Sequence, residues 1–288
     1  MKRVIIVGGG ASGYFAAINA KEANPEAKIT ILEKGKQVLQ KVKISGGGRC
    51  NVTHACFDGR ELSKNYPRGE RALLGAFSRF QAGDTIGWFA DRGVELKIED
   101  DGRMFPTTDR SETIISCFQN RAHRLGVEVQ KGEGVTDLIP PTEKQKAWRV
   151  VTKSKAYEAK KVVLATGSSP QMWRVLGRLG YKIETPIPSL FTFKIDDPRL
   201  NGLAGVSMPH VQASVPDTPL AEDGALLITH WGLSAPSILR LSAWGAKILN
   251  AKNYHFWLRI NFIPTESLES VRDELFELKD SIPKKQVA

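Results

Sequence analysis

The sequence predicts an α/β protein. A central parallel sheet with a small antiparallel β-meander is expected over residues 1–185, and a β-rich α+β domain over 186–288. Three observations predict this. A short, almost wholly apolar run, Arg3–Val7, is followed by a helical pattern and then a second apolar run ending at Glu33. A glycine cluster, Gly8-Gly9-Gly10, separates the first run from the helix. The strand–helix rhythm stops near 182–188, where prolines cluster in TPIPSL.

Each element has its own signal. An apolar run such as RVIIV suits a strand buried on both faces of a parallel sheet. Residues 11–23 carry Tyr14, Ala17 and Ile18 at helical spacing, and Asn24-Pro25 ends that helix. KITILE at 28–33 alternates as a second strand. Residues 34–69 are loop-rich. Residues 70–92 predict one or two helices, with Leu73, Leu74, Phe77, Phe80, Ile86, Trp88 and Phe89 as the apolar positions. Two short strands are expected near 94–98 and 103–105. A helix over 111–125 follows, started by Asp109 or Ser111 and stopped by Gly126. Apolar runs at 127–130, 134–139, 147–152 and 161–166 predict a further sheet strand, the meander and a return strand, with a helix over 171–179. Beyond the prolines, strands are expected at 190–195, 206–213, 224–229 and 254–262, and helices at 234–249 and 265–279.

Composition narrows the function classes. The 288 residues are 41% hydrophobic and 25% charged, enough apolar surface for a sizeable core. The net charge of +10 favours phosphate-bearing ligands. The basic runs Lys34–Lys43 and Lys153–Lys161 are broken by apolar residues and read as solvated faces, so a nucleic-acid partner is not expected. Three cysteines make no disulfide framework, which points to a reducing, cytoplasmic setting. The N-terminus imitates a signal peptide, but three glycines interrupt its apolar run. No window reaches the length of a membrane-spanning helix.

Gly8-Gly9-Gly10-Ala11-Ser12-Gly13 is a G-x-G-x-x-G sequence between a strand and a helix, and Glu33 ends the next strand. This is the context of a Rossmann-like dinucleotide fingerprint. Gly8 permits the tight turn, Gly10 lets the backbone approach a diphosphate, and Gly13 lets the helix pack closely on the strand. The helix start, with Ala11 and Ser12, offers unpaired N–H groups and a positive dipole end. Glu33 suits a ribose diol and repels a 2′-phosphate. A second polar loop follows at once: Lys43-Ile44-Ser45-Gly46-Gly47-Gly48-Arg49-Cys50-Asn51. It brings amides and cations back toward the same phosphates, with Arg49 expected beside them. A second arm favours FAD over NAD.

GGGASG, Glu33 and KISGGGRCN, followed by GRMFPTTDRSETII, VVLATG, PSLFTFKI and GALLITHWGLSAPSILRLSA, closely resemble the bacterial FAD-binding oxidoreductases grouped as HI0933-like or aminoacetone-oxidase-like flavoproteins. The resemblance runs along essentially the whole chain. It implies FAD as cofactor, with Gly8, Gly10, Ala11, Ser12, Gly13, Glu33 and Lys34 holding the ADP half. Lys43 and the stretch Ser45 to Asn51 would wrap the diphosphate and approach the flavin, Val135 would offer its backbone to the adenine, and Ala165, Thr166 and Gly167 would end the return strand beside the cofactor. It also implies hydride transfer to the flavin from a small-molecule substrate such as an amine or a nicotinamide, with NAD(P)H as a candidate electron donor, and an inserted substrate domain over 186–288. Two departures bear on this reading. Gly167 is followed by Ser168 where such proteins usually show a second glycine. They also continue for about another hundred residues past the position of Ala288, a domain-sized length. The expectation is therefore of a shortened copy, and two alternatives follow: a nucleotide-binding remnant without catalysis, or a flavin-dependent tRNA-modifying protein. A sheet edge left open would let two copies pair.

Other residues carry weaker signals. Cys50 and Cys56 stand at C-x5-C spacing, and one residue more than C-x4-C turns the second thiol by about 100° on a helix, which favours unpaired thiols. His230, between a strand and a helix, is a candidate base or substrate-orienting group, or simply bonds its own loop. Asp100-Asp101 and Asp196-Asp197 sit in turn contexts, and no metal site is expected.

Overall fold

The computed structural model describes residues 2–282. The chain forms two compact units, 1–184 and 185–288.

In the first unit, strand β1 (Arg3–Val7), helix α1 (Ala11–Ala23) and strand β2 (Lys28–Glu33) open the fold. β1 pairs in parallel with β2 on one side and with 161–164 on the other, and β2 pairs in parallel with 128–131. The sheet order is therefore 161–164, β1, β2, 128–131. β1 is apolar throughout because both its faces are covered. Ile6 packs with Tyr14, Ala17 and Ile18 of α1 and with Ile114 and Phe118 of the helix Ser111–Arg124. Ile5 and Val7 pack with Val135, Val150 and Tyr157 of an antiparallel meander and with Met172 and Val175 of the helix Pro170–Arg178. Burying such a side chain is worth about 1.5–3 kcal/mol, so the central strands anchor everything hung on their ends.

The meander has three strands, 135–139, 148–152 and 156–159, one more than the sequence suggested. Ala156–Ala159 escapes notice because AYEA alternates over only four residues and carries a glutamate. The region 70–92 resolves into two helices, Glu70–Phe77 and Ala82–Ala90, the second opened by a reciprocal capping box between Gln81 and Asp84. Strands 53–54, 96–98 and 103–106 form a small antiparallel sheet.

The second unit is a five-stranded antiparallel sheet in the order 193–194, 232–234, 221–229, 207–214, 259–261. The expected helix over 234–249 is broken into Pro236–Trp244 and Ala246–Ala251. At the break, a Cβ on Gly245 would stand 2.7 Å from the Leu241 carbonyl oxygen, so the chain can turn there only with glycine. The strand expected at 254–262 shrinks to 259–261 because Asn253 and Tyr254 take left-handed φ of 51° and 60°. Strand 232–234 was not expected. Its Gly232 lies so close to strand 193–194 that a Cβ would sit 2.2 Å from the Phe193 carbonyl oxygen. Among the described residues no helix is long and apolar enough to cross a membrane.

Candidate functional site

The glycine turn after β1 assigns each glycine a different reason. A Cβ on Gly8, whose φ is 113°, would stand 2.3 Å from the Ala165 carbonyl oxygen. A Cβ on Gly13 would stand 1.9 Å from the Gly8 carbonyl oxygen. Both glycines are demanded by the protein's own packing. Gly10 is not, since a Cβ there would meet nothing within 4 Å. The turn is bound on both sides: the Gly8 N–H donates to the Leu32 carbonyl at 2.8 Å, and the Ala165 N–H to the Val7 carbonyl at 2.8 Å. Gly10 caps α1 without any side-chain acceptor. Among the described residues no acceptor faces the N–H groups of Gly10, Ala11, Ser12 or Gly13. They stand at a helix end carrying about half a positive charge.

Glu33 closes the turn from the next strand. Its Oε2 accepts the Gly9 N–H at 2.7 Å and its Oε1 accepts the Gly35 N–H at 2.7 Å. Each oxygen keeps a second lone pair for a hydroxyl. Burial, and then the charge of Glu33, push the Tyr14 phenol up to about 12. A small cavity of about 60 Å³ lies here, lined by Gly8, Glu33, Lys34, buried Val135 and Thr166. Gly134 fits against the stem of Lys34, whose Cβ would be 3.2 Å from a Cβ on that glycine.

The SGGG turn at 45–48 follows the short helix α2 (Gln40–Ile44). Gly46, Gly47 and Gly48 all take positive φ, at 56°, 67° and 87°. Three consecutive residues in that region explain a glycine triplet. Gly46 is also pressed against the ring of Phe105, 2.8 Å from a Cβ position, while a Cβ on Gly47 would meet nothing. Cys50 is buried, and burial pushes its thiol up, partly offset by a hydrogen bond with Ser45. Cys50, Cys56 and Cys117 are all free thiols. The Asn51 carboxamide is oriented with its NH2 toward the carbonyls of Thr53 and Met104, at 2.9 and 3.2 Å. The Lys43 carbonyl accepts from Ser111 Oγ at 2.9 Å, tying the end of α2 to the helix behind it.

Arg49 departs from expectation. It was expected beside the diphosphate, but its guanidinium is bound by Glu99 and lies 3.4 Å from Asp109. It also stacks over the Phe105 ring, 3.9 Å from the centroid. Its charge fastens the glycine loop to strand 103–106 instead of remaining free for a ligand.

A larger cavity of about 450 Å³ begins at the N-terminus of α1, where Ala11 and Ser12 line it. Lys41, Ser45, Cys50 and Asn51 supply its polar side. Phe15, Phe80, Trp88, Phe89 and Phe118 wall the other side, with Phe15 and Trp88 5.1 Å apart at their ring centroids. The sequence marked Phe80, Trp88 and Phe89 only as apolar positions and did not single out Phe15 or Phe118. The wall is assembled from three helices and, for Phe80, the turn between two, and spacing within any one helix does not reveal it. The return strand stops at Leu164, short of the expected 166, so Ala165, Thr166 and Gly167, the last at φ 58°, form the turn just past its end.

His230 lies in the second unit, exposed, with its ring edge-on to Trp231 at 4.3 Å. Among the described residues no side-chain hydrogen-bond partner or ion pair engages its ring. The aspartate pairs serve turns: Asp101 binds Arg103, and Arg199 draws Asp197 down to about 2. Among the described residues no cluster of His, Cys, Asp or Glu could hold a metal ion.

Comparison with known proteins adds the family. A family model described as the HI0933-like protein Rossmann domain matches residues 2–237. A second, described as the HI0933-like protein barrel and H2TH domain, matches 187–288. The chain is 27% identical to a 3-dehydro-bile acid delta(4,6)-reductase of Clostridium scindens, over 98% of this chain and 70% of the relative. It is 26% identical to a ribosomal RNA dihydrouridine synthase of Haemophilus influenzae, over 98% of this chain and 69% of the relative. The chain thus spans about two thirds of the length of these curated relatives. Among solved structures, THI4 of Thermovibrio ammonificans aligns with a TM-score of 0.43 at 15% identity, over 63% of this chain and 64% of that one.

Proposed function

This chain belongs to the HI0933-like family, and from that premise we propose that it is a FAD-dependent oxidoreductase that reduces a carbon–carbon double bond conjugated to a carbonyl, drawing electrons from a nicotinamide. One observation carries the cofactor reading. Two cavities open at opposite ends of a single glycine turn, one beside Glu33 and Val135, the other aromatic and about 450 Å³. A ligand with two bodies joined by a diphosphate fits that layout. Gly10, whose Cβ would fill empty space, leaves the backbone open exactly where a diphosphate would approach four unpaired N–H groups.

FAD, when bound, supplies the hydride chemistry. The chain's own residues bind and shield. The N–H groups of residues 10–13 hold the diphosphate, and Glu33, fixed by two backbone amides, orients the ribose. The aromatic wall would keep water from a ring bound in the larger cavity. Cys50, held protonated by burial, stays a neutral neighbour and takes no part as a redox thiol.

The double-bond substrate is suggested by the relatives, one a bile acid delta(4,6)-reductase and the other a synthase of the hydrogenated base dihydrouridine. The test is nicotinamide oxidation by the FAD-loaded protein in the presence of a cyclic enone, with product followed by mass. A gain of two mass units in the enone supports the reading, and FAD-loaded protein that oxidises nicotinamide without reducing any enone opposes it. A second reading takes RNA as the substrate, favoured by the Haemophilus influenzae relative and by the net charge of +10. Salt-sensitive binding of ribosomal RNA, with loss of uridine on incubation, would select it.

A further inference from the structure

We propose that Lys41 supplies the cation that neutralises the bridging diphosphate, and that it thereby makes the site selective for a dinucleotide. The inference rests on the flavin reading of the same site. It starts from where the two cavities meet. Thr166 lines the smaller, while Ala11, Ser12 and Lys41 line the larger. Lys41 Nζ lies 3.8 Å from the position a Cβ on Gly167 would take, and Gly167 follows Thr166 directly. The ammonium therefore stands at the junction, over the end of the return strand and beside the N-terminus of α1. A ligand that reaches from one cavity to the other passes it.

The remaining cations of the loop are placed differently. Arg49 is held by Glu99, Asp109 and the Phe105 ring. Lys34 lines the smaller cavity only, with its stem packed on Gly134. Lys36 and Lys43 line neither cavity. Lys41 is exposed, and among the described residues no side-chain hydrogen bond or ion pair engages its ammonium. A helix end worth about half a charge leaves most of a diphosphate's two negative charges uncompensated, and an ammonium at the junction offsets a further one. Adenosine alone, seated beside Glu33, has no group that reaches Lys41. A diphosphate ester does.

The experiment measures binding of FAD, ADP and adenosine to the full chain by calorimetry at low and moderate salt, for the native protein and for Lys41→Gln and Lys41→Arg. Lys41→Gln is expected to weaken FAD and ADP about tenfold, to flatten their salt dependence, and to leave adenosine unchanged. Lys41→Arg is expected to retain most of the ADP affinity. Native affinity and salt dependence for ADP in Lys41→Gln would overturn the proposal, as would an equal loss for adenosine, which marks a structural role. If the native chain binds neither FAD nor ADP, the flavin reading itself fails and takes this inference with it.

Discussion

Glu33 Oε2 accepts the N–H of Gly9 at 2.7 Å, so the acid that ends the second strand clamps the turn that leaves the first. Its other oxygen accepts from Gly35 at the same distance. The carboxylate is therefore structural before any ligand arrives. Glu33→Ala leaves two partly buried amides without acceptors and is expected to cost about 2–3 kcal/mol in urea unfolding. Glu33→Gln keeps one acceptor and should cost less. Equal stability of Glu33→Ala and the native chain would contradict the clamp.

Gly13 and Gly10 of the fingerprint separate by substitution. Gly13→Ala puts a methyl 1.9 Å from the Gly8 carbonyl oxygen, against backbone that cannot move aside, and should lose at least about 2–3 kcal/mol. Gly10→Ala meets nothing, so its stability should fall by about 1 kcal/mol or less, as expected of a poorer helix cap. Its FAD affinity should nevertheless drop sharply. Denaturation and FAD titration on the same two variants read both effects.

Arg49 and Lys41 should differ in their response to salt. Arg49→Met releases the glycine loop from Glu99 and Phe105 and should weaken FAD binding while leaving its salt dependence intact. A flattened salt dependence in Arg49→Met would place its charge on the phosphates after all.

Tyr14 gives the chain an alkaline limit. Its phenol is raised from 10.0 to about 12 in the folded protein, first by burial and then by Glu33. Above pH 10 the unfolded chain ionises this group while the folded chain keeps the proton. Stability is therefore full below pH 10 and is lost as pH rises toward 12. Tyr14→Phe should reduce that slope in stability measured between those limits, and an unchanged slope would remove Tyr14 as its source.

Burial likewise keeps the Cys50 thiol protonated at neutral pH. Cys50→Ser should leave FAD binding and turnover near native values, and a maleimide should label Cys56 faster than Cys50 at pH 7. Loss of the proposed nicotinamide oxidation in Cys50→Ser, with FAD retained, would instead mark a redox thiol.

Much of this was legible in the sequence because local chemistry dictates it. RVIIV had to be buried on both faces, and the glycines at 8 and 13 had to sit where backbones touch. The triplet 46–48 marked a second polar loop near the first glycine turn. The fate of Arg49 was not legible, because its partner Glu99 lies fifty residues on and reaches it only through the small sheet at 103–106. The aromatic wall was hidden for the same reason, since Phe15, Trp88 and Phe118 belong to separate helices. In the second unit, Gly245 lay inside the expected helix 234–249, and Gly232 lay between the expected strand and that helix. Only the neighbours pressed against them show a strand in one case and a broken helix in the other.

The central claim is that one turn, between Val7 and Ala11, holds a flavin dinucleotide. The direct measurement is the visible absorbance of the purified chain after incubation with excess FAD and removal of the free cofactor, read beside Gly10→Ala. The account predicts a yellow native protein with stoichiometric FAD and a nearly colourless but folded Gly10→Ala. A native chain that stays colourless, or a Gly10→Ala variant that retains FAD in full, would contradict it.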